Sequence, residues 1–326
     1  MTGRLQTTSG RGSSNLKLLA SGAKRRARQS ELVWRYGSNW RAVAAYRRHR
    51  TAPTPLGTRL VADLRRHGHA STSVAEFAGG RPILEELTAE ADRLRRDGPS
   101  GRPANDEPED ARTVKEFTVS LAGRRPVLES SSVLVRAALH PTVLEVADEY
   151  LRMQARLRYA NLWLTVPSTS GPSQSQLWHR DRDDIHRVVK MFVYLSDVDE
   201  TTGALSYVSG SHRRPRPQPA VSHQDGNTAR VTDAAMAAVA PTDRWATLGG
   251  PRGTVVLVDT HGFHKGGYVT RGERVVYTCM FTSPWADGWA AERLMTVLDD
   301  GGEERHRAVR PAGSDRMRGR ESSADA

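Results

Sequence analysis

The sequence has very little cysteine: its 326 residues include one, Cys279, so the chain alone cannot form a disulfide or a thiolate-rich zinc site. No apolar run approaches the roughly 18 residues that a membrane-spanning helix needs. The basic residues near the N-terminus are not followed by the apolar segment of a secretory signal. We therefore expect a cytoplasmic protein without membrane contact.

The excess of basic over acidic residues is confined to the first 50 residues of the chain. That segment holds twelve Lys or Arg and one acidic residue, which accounts for the whole net charge of +11. We interpret residues 1–50 as a basic, partly flexible arm with short helices. The arm could bind an anionic partner such as nucleic acid. Because no recognised nucleic-acid motif accompanies the charge, we favour an arm that packs its aromatic residues on its own core.

The rest of the chain changes from helical to strand-like periodicity near residue 153. Apolar spacing predicts helices over 56–66 and 82–96, and another over 133–151 that breaks near Pro141. Short apolar strands punctuated by Gly and Pro follow, which favours a β-barrel or sandwich. We therefore predict a mainly β fold with flanking helices, one domain over 51–290 and a charged C-terminal tail over 291–326. The predicted strands cover 155–166, 188–195, 204–208, 245–248, 253–259 and 273–281.

His179 and Asp181 are two residues apart, so in an extended backbone both side chains project to one face. A third ligand is expected from His261 or His264, which follow the buried strand ending at Asp259. We prefer His264, because Arg274 then lies ten residues further on, in the neighbouring strand. Two histidines and one carboxylate are typical of a non-haem Fe(II) centre with open coordination positions. The alternative is a surface ion pair and an unrelated turn histidine.

Arg274 shares a strand face with Val276, Thr278 and Met280. A cation among apolar neighbours is costly unless it is paired. A rigid guanidinium suits a cosubstrate that carries a carboxylate, since it can bind both carboxylate oxygens. The sequence therefore indicates an organic-acid site beside the metal site.

Several segments together resemble the phytanoyl-CoA dioxygenase family. They are Leu177 to Asp181, Phe192 to Glu200, Gly203 to His212, Gly253 to Asp259 with His264, and Arg271 to Arg274. The resemblance implies a double-stranded β-helix, or jelly-roll, that uses Fe(II), 2-oxoglutarate and O₂. It also implies that His179, Asp181 and His264 bind the iron and that Arg274 grips the distal carboxylate of 2-oxoglutarate.

The implied reaction is hydroxylation of an unactivated C–H of a small or carrier-tethered metabolite, with release of succinate and CO₂. Asp181 favours it over halogenation, because chlorinating relatives lack this carboxylate. Desaturation and cyclisation at the same iron stay open. So does a non-catalytic jelly-roll whose arm binds nucleic acid. The sequence does not indicate the substrate or the oligomeric state.

Three further residues are predicted to contact the cofactor or cosubstrate. Lys190 and Tyr194 share a strand face that we expect to point into the barrel, and Asn161 lies in the strand before the His-x-Asp motif. Gly266 stands where relatives carry a small hydroxyl residue. The Pro-rich segment 213–230 is interpreted as a surface insertion or lid, and three of its arginines hint at an acidic substrate: Arg213, Arg214 and Arg216.

Overall fold

The structure, a computed structural model, describes residues 30–98, 117–213, 215–225, 228–286 and 295–298. The first 29 residues of the predicted arm, Arg214 and most of the predicted tail lie outside these ranges.

Three helices lie within residues 40–97, and local chemistry sets both ends of the second one. After a π-helical turn at Val33–Ser38 come α1 (Trp40–His49), α2 (Pro55–His67) and α3 (Gly80–Asp97). The Thr54 hydroxyl accepts a hydrogen bond from the Gly57 amide and starts α2. Gly68 ends the same helix in the left-handed conformation, with φ of 86°. The helix predicted over 56–66 is therefore confirmed.

The helical segment predicted over 133–151 is divided at Pro141, as expected from the missing amide hydrogen of proline. It forms α4 (Val133–Ala138) and α5 (Pro141–Leu151), and a short α6 (Asp233–Ala237) follows much later. Ser132 caps α4 and His140 caps α5 through side-chain acceptors. The proline thus separates two helices rather than bending one.

The strands in the described ranges are β1 (His69–Ser73), β2 (Thr118–Ser120), β3 (Val127–Glu129), β4 (Arg156–Thr165), β5 (Val189–Tyr194), β6 (Leu205–Val208), β7 (His223–Asp225), β8 (Thr228–Arg230), β9 (Trp245–Leu248), β10 (Thr254–Asp259), β11 (His264–Lys265), β12 (Arg274–Thr282) and β13 (Thr296–Leu298).

The largest sheet has six strands, all antiparallel to their neighbours, in the order β1-β10-β5-β12-β4-β2. One face packs on the helices through Val193, Leu257, Tyr277 and other buried residues.

A smaller antiparallel sheet, β11-β6-β9, faces the other side of the large one. Single β-bridges extend it from His264 to His179 and pair Trp178 with Val231. Tyr194 of the large sheet and Tyr207 of the small one belong to the same apolar cluster between them. This arrangement is the predicted mainly β jelly-roll with flanking helices.

Three parts of the chain that the sequence analysis placed at the periphery contribute to the fold. Trp34, from the predicted arm, is 2% exposed and belongs to the main core. In the predicted tail, β13 pairs in parallel with β3, and the predicted insertion contains the β7–β8 hairpin. Three-residue strands are too short to give a periodic signal, so these pairings could not be read from the sequence. No helix in the described ranges is long and apolar enough to cross a membrane.

Candidate metal centre and carboxylate pocket

The site begins with a backbone pairing between His179 and His264. Each amide donates to the carbonyl of the other residue, with both N–O distances at 3.0 Å. The pairing puts both side chains on one face, and their ring centroids lie 4.3 Å apart. Two residues distant in sequence are thereby fixed side by side by main-chain geometry.

Hydrogen bonds fix the orientation of the two imidazoles. Nδ1 of His179 lies 2.8 Å from the Leu177 carbonyl, and Nδ1 of His264 lies 3.1 Å from the Gly262 carbonyl. A carbonyl can only accept, so each Nδ1 carries the proton and each Nε2 presents a lone pair. Burial lowers the pKa of both histidines, that of His179 well below its ordinary value. Both rings are therefore neutral, as metal ligands must be.

Asp181 completes the cluster. Its amide donates to the Thr260 carbonyl at 2.9 Å, and its carboxylate oxygens lie 3.9 Å from His179 Nε2 and 3.6 Å from His264 Nε2. The three ligand atoms are all within 4.8 Å of one another, a spacing that one metal ion can bridge. Burial raises the pKa of Asp181, but the Lys190 ammonium, the two histidines and the hydrogen bond from Lys190 together outweigh burial and hold that pKa below its ordinary range.

Lys190 lies between two carboxylates on the wall of the site. Its Nζ is 2.6 Å from Asp181 Oδ2 and 4.0 Å from Asp183 Oδ2. Although burial opposes the charge, these two carboxylates raise the pKa of Lys190. Burial raises the pKa of Asp183 despite this ammonium. The ammonium thus neutralises negative charge next to the two imidazoles.

A cavity of about 390 Å³ opens between the two sheets and contains this cluster. His179, Asp181 and His264 lie on its wall, together with three of the other residues singled out from the sequence: Lys190, Tyr194 and Arg274. Aromatic side chains supply much of the remaining wall: Phe117, Tyr159, Trp163 and Phe192. The sequence-predicted metal residues and the arginine therefore share one compartment.

Arg274 has a buried guanidinium with incomplete hydrogen bonding. Its Nη1 donates to the Gly203 carbonyl and its Nη2 to Thr165 Oγ1 at 3.3 Å, but its buried Nε has no hydrogen-bond partner. Burial lowers the pKa of Arg274. No acidic side chain within the described ranges pairs with it. A carboxylate in the cavity would supply the missing countercharge.

The other two predicted cofactor contacts have different environments. The Tyr194 hydroxyl donates to the Leu248 carbonyl, so only the body of the ring faces the cavity. Asn161 is not on the cavity wall, which corrects the sequence expectation. Its amide nitrogen donates to Ser120 Oγ at 2.8 Å and to the Gly123 carbonyl at 2.7 Å. These two hydrogen bonds hold residues 120–123 against β4. They use both N–H donors of the Asn161 side chain, so none is left for a ligand.

The polar residues on the cavity wall that sequence reasoning missed include Gln176 and Arg230. Gln176 is 4% exposed; its oxygen accepts from the Ser173 amide, while its Nε2 has no hydrogen-bond partner. Its position three residues before His179, after a turn-forming Ser, could have indicated from the sequence that Gln176 lies near the metal site. Gly266 lies close by: a Cβ there would be 4.0 Å from Arg274 Nη2. A small side chain at position 266 would therefore meet these atoms at ordinary contact distances.

The fold and the site together define a jelly-roll protein with a place for one metal ion and one organic acid. The sequence profile described as Phytanoyl-CoA dioxygenase (PhyH) matches residues 82–275, more than half of the chain. The chain belongs to this family of Fe(II)- and 2-oxoglutarate-dependent oxygenases. It is accordingly a non-haem iron oxygenase that consumes 2-oxoglutarate and O₂. No curated protein sequence matches the chain.

Solved structures agree with the fold. EctD from S. alaskensis, in its apoform, superposes with a TM-score of 0.53 at 17% identity, covering 80% of this chain and 88% of EctD. The epimerase SnoN, in complex with Fe³⁺, α-ketoglutarate and nogalamycin RO, gives a TM-score of 0.50 at 20% identity, covering 70% of this chain and 84% of SnoN. At these identities the likeness establishes the jelly-roll architecture alone.

Proposed function

We propose that the protein is a 2-oxoglutarate-dependent hydroxylase in which His179, Asp181 and His264 hold Fe(II) and Arg274 holds the distal carboxylate of 2-oxoglutarate. One observation carries the proposal: the backbone pairing of His179 with His264 aims two neutral imidazole Nε2 atoms at the Asp181 carboxylate. Two nitrogens and one oxygen leave coordination positions open for cosubstrate and O₂. When bound, the iron supplies the oxygen activation and the C–H cleavage.

The chain's own groups fit the cosubstrate. Arg274 offers a buried guanidinium whose Nε is unused, and Gln176 offers an unused Nε2 on the same cavity wall. Both are donors, and a carboxylate accepts several hydrogen bonds at once. We assign Arg274 to the distal carboxylate, while Gln176 donates to the other end of the molecule. The ring of Tyr194 packs against the space next to Arg274.

Lys190 positions Asp181 rather than binding the cosubstrate. Its ammonium holds Asp181 Oδ2 at 2.6 Å and thereby fixes the rotamer of the carboxylate. The same contact keeps the carboxylate ionised, because a nearby cation favours the charged form. The aromatic wall excludes water from the region where a substrate C–H would lie.

The reaction that this site favours is hydroxylation of an unactivated C–H, with release of succinate and CO₂. Asp181 supports it over halogenation, which needs its coordination position for a halide. The substrate is a small or carrier-tethered metabolite, since the cavity of about 390 Å³ suits part of a larger molecule or the whole of a small one. The placement of the catalytic groups inside one cavity favours an enzyme over a non-catalytic binding module.

An anaerobic titration of the metal-free protein tests the proposal. Fe(II) is added first and 2-oxoglutarate second, while the visible charge-transfer band of the iron–ketoacid complex is recorded. The band should appear only after both additions. It should be lost in Asp181→Ala, and in Arg274→Gln it should require a 2-oxoglutarate concentration at least tenfold higher. Arg271→Gln is the matched control, because Arg271 is exposed three residues away. Absence of the band in folded wild-type protein would overturn the proposal.

A further inference from the structure

The cavity has two ends, which the register of the large sheet separates. Strand β12 runs along one wall, with Arg274 at one end and Met280, opposite Tyr159 of β4, at the other. At about 3.4 Å per residue, the six residues between these positions correspond to roughly 20 Å of antiparallel strand. The guanidinium of Arg274 and the row of residues around Met280 therefore serve different parts of the cavity.

The end around Met280 begins at the metal centre. Met280 pairs with Lys190 of β5 on one side and with Tyr159 of β4 on the other, so these three residues form a row across neighbouring strands. The Lys190 ammonium is bonded to the metal-binding Asp181. In the proposed function 2-oxoglutarate lies between the metal and Arg274. The space over this row is next to the metal and is left for a substrate.

Asp183 presents a carboxylate at this end of the cavity. It lines the cavity two residues after Asp181, and its side chain is 19% exposed. Lys190 Nζ lies 4.0 Å from Asp183 Oδ2, beyond hydrogen-bond distance, because the ammonium is held by Asp181 at 2.6 Å. Within the described part of the chain, Lys190, His261 and Arg158 act on Asp183 through their charge, and none of them donates a hydrogen bond to it. The carboxylate can therefore accept hydrogen bonds from a ligand.

The balance of charge in the cavity favours a neutral donor for Asp183. Among the described residues on the wall, four are cationic and two are carboxylates: Arg124, Lys190, Arg230 and Arg274, with Asp181 and Asp183. A metal dication and doubly negative 2-oxoglutarate cancel each other and leave this positive excess unchanged. A substrate ammonium would add to the excess. A hydroxyl adds no charge and still donates to a carboxylate, a hydrogen bond that the charge of the acceptor strengthens.

We infer that the substrate bears a hydroxyl group on an apolar body with rings, and that Asp183 accepts a hydrogen bond from this hydroxyl beside the iron. The inference rests on the proposed function and specifies its substrate class. Tyr159, Trp163 and Phe192 offer aromatic faces to the body of such a substrate, with the rings of Tyr159 and Trp163 6.3 Å apart. The acceptor fixes the rotation of that body, and thereby the carbon that faces the metal.

The experiment uses full-length protein loaded with Mn(II) and 2-oxoglutarate in the absence of O₂, so that no turnover occurs. Bound Mn(II) accelerates the NMR relaxation of nearby protons, and titration of this effect gives both the affinity of a probe and its closeness to the metal. The probes are 2-naphthylmethanol, its methyl ether, which has no donor, and 2-naphthylmethylamine, which is a cation at neutral pH. Wild-type protein should bind the alcohol at least tenfold more tightly than the ether. The amine should bind no more tightly than the alcohol.

Two variants separate the acceptor from the shape of the side chain. Asp183→Leu keeps a branched side chain of similar size but has no acceptor, so it should abolish the preference for the alcohol over the ether. Asp183→Asn keeps a carbonyl oxygen and should retain part of the preference. Asp92→Leu makes the matched change at an exposed position of α3 and should leave the preference as in wild type.

The outcomes separate this inference from the proposed function. Mn(II) and 2-oxoglutarate should bind the variants as they bind wild type, which also shows that the variants are folded. The hydroxyl site alone would be overturned by equal affinity for alcohol and ether, by tighter binding of the amine, by a preference that survives in Asp183→Leu, or by no relaxation effect on any probe. Loss of Mn(II) affinity in both Asp183 variants would make the residue a support of the metal site and would also overturn the inference. Failure of the wild type to bind Mn(II) and 2-oxoglutarate would overturn the proposed function, and this inference with it.

Discussion

The indole Nε1 of Trp34 lies 3.0 Å from Asp184 Oδ1, across 150 residues of sequence. The same nitrogen is 3.2 Å from Ser283 Oγ, and the Ser283 amide donates to Asp184 Oδ2 at 2.8 Å. The Asp184 carbonyl, in turn, lies 2.7 Å from His261 Nε2. The segment before α1 is therefore tied to the loop that carries Asp181 and to the turn that precedes His264.

Replacing Trp34 with Phe should loosen that loop. The change keeps an aromatic ring but removes the donor to a buried carboxylate, so we expect a loss of about 1–3 kcal/mol in the free energy of unfolding. Hydrogen exchange of the amides at 184–186 should accelerate more than that of β10 or β12, and Co(II) affinity should fall.

Trp40→Phe is the control, because Trp40 is 54% exposed. If Trp34→Phe lowered stability while leaving Co(II) affinity and exchange in the loop as in wild type, the indole would support the core and not the metal site.

Gly266→Ser should be tolerated and should tighten 2-oxoglutarate binding several-fold. A Cβ at this position would meet the Ser175 carbonyl at 3.6 Å and Arg274 Nη2 at 4.0 Å, both ordinary contacts. The added hydroxyl would lie beside the guanidinium and could donate to the same carboxylate. Titration of the charge-transfer band measures the effect.

The neighbouring glycine gives the contrast. At Gly267 a Cβ would lie 2.4 Å from the Ala204 carbonyl oxygen, so Gly267→Ser must displace backbone and should lower both stability and 2-oxoglutarate affinity. Equal effects of the two substitutions would contradict the geometry of this turn.

Lys190→Met should make metal binding more stabilising. Without the ammonium, the metal-free protein keeps a buried carboxylate beside two imidazoles, and we expect it to lose about 3–5 kcal/mol of stability. A bound dication would then supply the missing positive charge. The increase in Tm caused by Co(II) should therefore be larger in Lys190→Met than in wild type. An equal or smaller increase would show that the lysine does not compensate Asp181.

Asp148→Asn should change how stability depends on pH. Burial raises the pKa of Asp148 to about 7 from an ordinary value of 3.8, although a hydrogen bond from the Ala155 amide opposes the shift. The folded protein therefore retains a proton that the unfolded chain releases. The stability that this group contributes is complete below pH 4 and is lost as pH rises through about 7.

The asparagine variant carries no such dependence and can still accept from Ala155. From pH 5 to pH 8 the unfolding free energy of wild type, measured by urea denaturation, should fall relative to that of Asp148→Asn by at most about 3 kcal/mol, since about two units of the pKa shift lie above pH 5. Asp92→Asn, at an exposed position of α3, is the control. Parallel pH curves for wild type and Asp148→Asn would show that the carboxyl is ionised in the fold.

The sequence was informative wherever a residue's role follows from its position on a strand. Alternation in β5 and β12 predicted the face that carries Lys190 and Arg274, and these residues do line the cavity. Alternation gives the face of a strand but not the direction of a side chain beyond its Cβ. Asn161 shares a strand face with Trp163, yet local hydrogen bonds turn its amide toward Ser120 and Gly123.

Other features had no local signal in the sequence. Arg230 reaches the metal site only because Val231 pairs with Trp178, a contact between segments that composition marked as a loop and a motif. The arm was expected to pack its aromatic residues on the core, and Trp34 does so, but its hydrogen-bond acceptor Asp184 lies 150 positions away and had no signal in the sequence. Contacts between residues this far apart in sequence depend on the whole fold, so no short segment of the sequence predicts them.

The pairing of His179 with His264 also ties metal binding to folding. The two residues are 85 positions apart (264 − 179), and the backbone hydrogen bonds between them exist only in the folded chain. An unfolded chain offers scattered ligands instead of one preformed site, so a metal ion that binds here stabilises the folded state of the whole barrel.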